Sequence, residues 1–217
     1  MSDHASAMAD REHRHPGLNL DHTDPEGHAS AEPVIFGFWI FLMSDLIVFA
    51  LLFATYAAMS TQGTGDGPAP AQLFDLRIPL LETLVLLTSS FTLGFVSLAN
   101  KYEGHPRQAI GWLVVTLVLG AGFLALEYHD FSTLIHEKHA GPQVSGFLSS
   151  YFLLTGTHFV HVAAGIAWGM VLIVQQAVLG PTLPVKLRVM RLALFWHMLD
   201  IVWIGIFTFV YLSGVLA

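Results

Sequence analysis

His158 and His161 stand three residues apart inside an apolar stretch, a spacing that puts both imidazoles on one face of a helix. Asp45, Glu82, Glu127, His197 and Asp200 lie in other apolar stretches of the same chain. Imidazoles and carboxylates gathered from several helices can ligate a metal or haem, relay protons, or hydrogen-bond the helices to one another. A helical metal site that uses carboxylates repeats Glu-x-x-His on two helices, and no such repeat occurs here. The spacing therefore favours hydrogen bonding between helices over a metal or haem site. Trp196, Asp200 and Trp203 recur at i, i+4 and i+7, with His197 alongside. Such a stripe reads as packing surface, its indole N–H groups and carboxyl satisfied by one another or by a neighbouring helix. Gly165-x-x-x-Gly169 would let another backbone approach closely.

The elements that must position these groups are long and apolar. Of the 217 residues, 54% are hydrophobic and only 12% charged, against about 25% charged in an ordinary soluble domain; the mean hydropathy is +0.61. Too few charges remain to cover a soluble fold of this length. A helix needs about 20 apolar residues to cross the hydrocarbon core. Five segments qualify, at about Val34–Ala58, Ile78–Ala99, Gln108–Tyr128, Gly146–Gln175 and Leu192–Val215. The expected fold is an all-α bundle of five transmembrane helices. Turn-rich stretches join them at Gln62–Ala71, Lys101–Arg107, His129–Gln143 and Gly180–Arg191. No internal repeat is visible, which weakens a transporter of the inverted-repeat kind.

Residues 1–32 are polar and hold seven of the sixteen acids and five histidines (His4, His13, His15, His22, His28). We read them as a mobile cytoplasmic tail ahead of a membrane domain at 33–217, without a signal peptide. The histidine spacing fits no defined metal site. With the N-terminus inside, Arg11, Arg14, Lys101, Arg107, Lys186, Arg188 and Arg191 face the cytoplasm, and only Arg77 and Lys138 lie outside. That bias predicts an internal N-terminus and an external C-terminus. At 1.5 Å per residue, Glu82 and Glu127 fall near the outer helix ends, Asp45, His158 and His161 near mid-membrane, and His197 and Asp200 in the inner half of the fifth helix. Several helical turns separate the outer acids from the rest, so no continuous proton wire is evident. Nothing is basic enough for nucleic acid. The absence of cysteine removes disulfides, thiolate metal sites and covalent haem attachment.

Longer strings are more specific. The fifth segment reads FWHMLDIVWIGIFTFVYL (Phe195–Leu212), the fourth contains TGTHFVHVAAG (Thr155–Gly165), the third ends in LEY (Leu126–Tyr128) and the second opens PLLETLVLLTSS (Pro79–Ser90). In this order they resemble subunit III of the haem-copper respiratory oxidases. The run Phe36–Ala57 and the count of five helices resemble the cytochrome o (bo-type) ubiquinol oxidase branch, since cytochrome c oxidase relatives commonly have seven. The resemblance implies a non-redox, non-catalytic subunit of the bacterial inner membrane that supports assembly and holds phospholipid in a cleft. It implies subunit I as the main partner, carrying the haems and copper, with subunits II and IV in the same complex; no cofactor is expected on this chain. Glu127, His158, His161, His197 and Asp200 fall in the family motifs, and Glu82, Trp196 and Trp203 join them as candidates for fastening helices around the lipid cleft. Other readings are subunit III of a cytochrome c oxidase or a nitric oxide reductase-associated homologue, a self-standing proton or ion carrier, and a haem or metal protein ligated by His158 and His161.

Overall fold

The computed structural model describes residues 25–62, 76–101, 106–180 and 182–216. Among them the regular structure is all helical, in five long elements. These are α1 (Pro25–Gln62), α2 (Arg77–Lys101), α3 (Pro106–His136), α4 (Gly146–Leu179) and α5 (Leu183–Ile206). A π-helical turn, Phe207–Leu212, and a last α-turn, Ser213–Leu216, continue α5. All five are long and apolar enough to cross a membrane, as expected. The larger part of the N-terminal segment, with four of its histidines, and the connection after Gln62 lie outside the described residues.

Most helices run past the ends read from hydropathy, and for one reason. An apolar window stops where polar side chains begin, but the backbone goes on hydrogen-bonding to itself beyond the hydrocarbon. α1 starts at Pro25, inside the segment assigned to the tail, and tolerates Pro33. α3 continues to His136, so the expected loop at His129–Gln143 shrinks to the turn after that residue. α5 starts at Leu183 rather than Leu192, capped at Thr182 and helped by Pro184 in its first turn. Lys186, Arg188 and Arg191 are thus helical rather than part of a loop. Along the longer helix His197 and Asp200 lie within about 3 Å of the midpoint of Leu183–Val215, at 1.5 Å per residue. α4 begins under Ser145, whose side chain accepts from Leu148 N–H, and ends at Gly180 with φ +69°.

α2 and α3 form an extensive pair, and α4 packs on α3, α5 and α1. α5 is central: it packs against α4, α2 and α1. It is also the span with the largest buried share, and its core side chains include Leu192, Trp196, Leu199, Trp203 and Ile206.

Glycines shape this packing at two places. A Cβ on Gly120 of α3 would lie 2.8 Å from Trp196 Cη2, and one on Gly165 of α4 would lie 3.1 Å from Trp196 Cζ3. The indole of α5 thus slots between two glycine surfaces. A Cβ on Gly169 would meet Leu117 Cδ2 at 2.5 Å. The Gly165/Gly169 pair therefore receives side chains, where the sequence pattern suggested a neighbouring backbone.

Candidate functional site: polar contacts inside the bundle

Several groups of polar side chains meet inside the bundle. The largest set ties α5 to α2. Trp196 Nε1 donates to Ser89 Oγ at 3.0 Å, and Trp203 Nε1 donates to Thr83 Oγ1 at 3.0 Å. Each hydroxyl is free to accept because its own proton goes to a carbonyl of its helix: Ser89 to Leu86 O at 2.6 Å, Thr83 to Pro79 O at 2.7 Å. Between these clasps, His197 Nδ1 lies 2.7 Å from Ser90 Oγ and 3.4 Å from Asp200 Oδ2, and Ser90 also hydrogen-bonds Asp200. Serine, histidine and aspartate are thus together, but both partners meet the same imidazole nitrogen. A nucleophilic triad needs serine on one ring nitrogen and carboxylate on the other, so this set is not one.

The two histidines of α4 diverge although they share a face. His158 Nε2 lies 3.2 Å from the Leu199 carbonyl of α5, to which it donates. Its ring is fully buried among Phe49, Phe123 and Trp203. His161 turns to α1. Its Nδ1–H donates to Thr157 O at 2.7 Å, and Nε2 stands 3.2 Å from Asp45 Oδ2. Because Nδ1 is already a donor, a proton between Nε2 and the carboxyl holds this contact. Asp45 was placed at mid-depth from sequence, and the structure supplies its partner.

The third group is acidic. Glu82 of α2 and Glu127 of α3 are fully buried, stand within hydrogen-bonding reach of each other, and meet no donor from any other described residue. Asp130, one turn further along α3, accepts from Tyr151 Oη at 3.4 Å, and Tyr151 Oη lies 2.8 Å from Tyr211 Oη. Asp130, Tyr151 and Tyr211 were missed in the sequence. Ending α3 at Tyr128 hid the i, i+3 relation of Glu127 and Asp130. At the other end of the bundle Gln176 of α4 donates to Asn100 Oδ1 of α2 at 3.2 Å, a contact no motif announces.

Every sequence-derived candidate is therefore internal to the bundle or at its edge, and most reach across to a second helix. The described residues hold no group of three or more His, Cys, Asp or Glu side chains that could surround a metal ion. An apolar recess of about 590 Å³ opens between α1 and α5, lined by Ala50, Phe53, Ala54, Ala57, Gly205 and Phe209 among others.

With this geometry in place, the chain can be compared with known proteins. The sequence profile of a family described as cytochrome c oxidase subunit III matches residues 21–215. A cytochrome bo(3) ubiquinol oxidase subunit 3 of Pseudomonas putida is 48% identical over 189 residues, 87% of this chain and 90% of that protein. The protein of that name in Pseudomonas aeruginosa is 46% identical over 197 residues, 91% and 93% of the two chains. A cytochrome c oxidase subunit 3 of Bacillus sp. (strain PS3) is 38% identical over 192 residues, 88% and 91%.

Proposed function

Because the chain belongs to the cytochrome c oxidase subunit III family, we propose that it is the non-redox subunit III of a bacterial ubiquinol oxidase. In that complex ubiquinol is oxidised, dioxygen is reduced to water and protons are pumped, while this chain supports assembly and stability. The observation that carries the reading is the use of the polar residues at depth. Trp196, Trp203 and His158 spend their N–H groups on neighbouring helices, and Asp45 of α1 is held by His161 of α4. Groups committed in this way fasten helices. The higher identity to ubiquinol oxidase subunits than to the cytochrome c oxidase subunit 3 favours quinol as the donor to the complex.

The same proposal places the chain in the bacterial inner membrane, N-terminus inside, with residues 1–32 as a cytoplasmic tail. Subunit I, bearing the haems and copper, is its main neighbour, and subunits II and IV complete the complex. Glu82, Glu127, His158, His161, Trp196, His197, Asp200 and Trp203 act structurally in it. Phospholipid acyl chains fit the recess between α1 and α5, whose walls are mostly alanine, glycine and phenylalanine.

Mild detergent extraction tests this directly. The chain should co-purify with a haem-bearing subunit in a preparation that consumes oxygen with ubiquinol; alone, it should show no haem spectrum and no bound metal. Purification without oxidase subunits, or proton movement by the chain alone in liposomes, overturns the reading. Turnover on reduced cytochrome c instead of ubiquinol moves the chain to the other branch. Asp200→Leu should weaken retention in the complex by about 1–2 kcal/mol, measured as the fraction retained through detergent washes, with haem spectra unchanged.

A further inference from the structure

The recess between α1 and α5 is apolar along most of its length and polar at one end. Ala50, Phe53 and Ala54 of α1 face Gly205 and Phe209, and the Phe53 and Phe209 rings meet edge to face with centroids 6.1 Å apart. Towards the C-terminal ends of both elements the lining changes to Tyr56, Ser60 and Ser213. None of the described residues that line it carries a charge.

Tyr56 sets this recess apart from ordinary lipid-facing surface. Its side chain is 4% exposed, and its ring rests on Phe147 of α4 with centroids 5.6 Å apart. A buried tyrosine hydroxyl usually finds a hydrogen-bond partner, yet this one has none among the described residues. Its oxygen is not among the fully enclosed ones, so it opens on the recess that the residue lines. The serines differ. Ser60 gives its proton to Ala57 O at 2.9 Å and Ser213 gives its own to Phe209 O, which leaves both oxygens to accept. Tyr56 and Ser60, four residues apart, share a face of α1 and stand about 6 Å apart along its axis.

A ligand for this recess must therefore accept from Tyr56, donate to a serine oxygen, carry no charge and bury an apolar body. A phospholipid headgroup finds no counter-charge here, and an acyl chain leaves the Tyr56 hydroxyl without an acceptor. A quinol head is flat and neutral, each of its hydroxyls both donates and accepts, and its isoprenoid tail is hydrocarbon.

We propose that this recess binds ubiquinol by its head, with Tyr56 donating to a ring oxygen and Ser60 accepting from a ring hydroxyl. The inference rests on the reading of the chain as a subunit of a ubiquinol oxidase and adds a substrate-holding site to it. The site only holds the reduced substrate, whose oxidation takes place elsewhere in the complex.

Irradiating the full complex with an arylazido analogue of ubiquinol tests it. An adduct should form on a peptide of this chain that carries residues 50–60 or 205–213, and excess unmodified ubiquinol should remove it. Tyr56→Phe should lower the adduct about threefold to tenfold. Ala57→Phe, which fills the recess from an exposed position, should abolish it, with co-purification and haem content as in the parent. Adducts on other subunits only, adducts here that ubiquinol does not displace, equal labelling of the Tyr56→Phe complex, or exclusion of the analogue by co-purifying phospholipid overturn the proposal. Should a variant fail to assemble, displacement in the parent complex decides alone. A parent preparation without a haem-bearing subunit, or one that turns over only on reduced cytochrome c, instead overturns the ubiquinol oxidase reading itself.

Discussion

The hydroxyls of Thr83 and Ser89 show how a side chain can serve two helices at once. Each gives its proton to its own helix and its lone pair to an indole of α5. Serine and threonine make the first bond in almost any helix, so nothing in PLLETLVLLTSS distinguished them from ordinary membrane-helix residues. The tryptophans, by contrast, stood out, because a buried indole N–H needs an acceptor. Ser89→Ala should therefore cost about 0.6–1.7 kcal/mol in the parent and much less in a Trp196→Phe background. Reversible unfolding in mixed micelles measures that coupling, and equal costs in the two backgrounds would show that the bond contributes nothing. The facing carboxyls of Glu82 and Glu127 make a second expectation. Glu82→Gln supplies Glu127 with an amide donor and should be at least as stable as the parent, while Glu82→Leu leaves a buried acid without a partner and should lose about 1–3 kcal/mol.

Among the elements, α5 sets the terms. The hydropathy pattern located it and its aromatic stripe predicted that it would be packed, but its N-terminal end was hidden. Lys186, Arg188 and Arg191 interrupt the apolar run without interrupting the helix, and Arg188 reaches Gln175 Oε1 of α4 at 2.8 Å. Reading the helix from Leu192 hid that His197 lies near the midpoint of the helical stretch Leu183–Val215. The partners along the seams could not be read from spacing, since side-chain periodicity gives a face but not the helix opposite. Steric fit on α5 leads to a sharp contrast. Gly120→Ala would drive a methyl against the rigid Trp196 ring and should cost about 1–3 kcal/mol. Gly111→Ala on the same helix meets nothing within 4 Å and should be neutral or slightly stabilising. Thermal unfolding of the two detergent-solubilised variants decides it.

At the scale of the whole molecule, five apolar helices were legible because each is long enough to dominate any window placed on it. Their direction through the membrane rests on seven basic residues against two, and it is testable because the chain has no cysteine of its own. In intact spheroplasts a membrane-impermeant maleimide should label Gly65→Cys and leave Gly104→Cys untouched until the membrane is broken; the opposite pattern reverses the orientation. The π-helical turn at Phe207–Leu212, with Ser213 N–H reaching back to Thr208 O, bears on how chains of this kind can differ in length. Such a turn accommodates one residue more than an α-helix would hold between the same two ends. Deleting one residue there, ahead of Tyr211, would close it to ordinary α-helix and leave the stretches on either side in the same register, so Tyr211 would still face Tyr151. A homologue one residue shorter in this stretch can therefore keep the tyrosine pair, whereas a gap in the regular helix before it would turn everything beyond by about 100°.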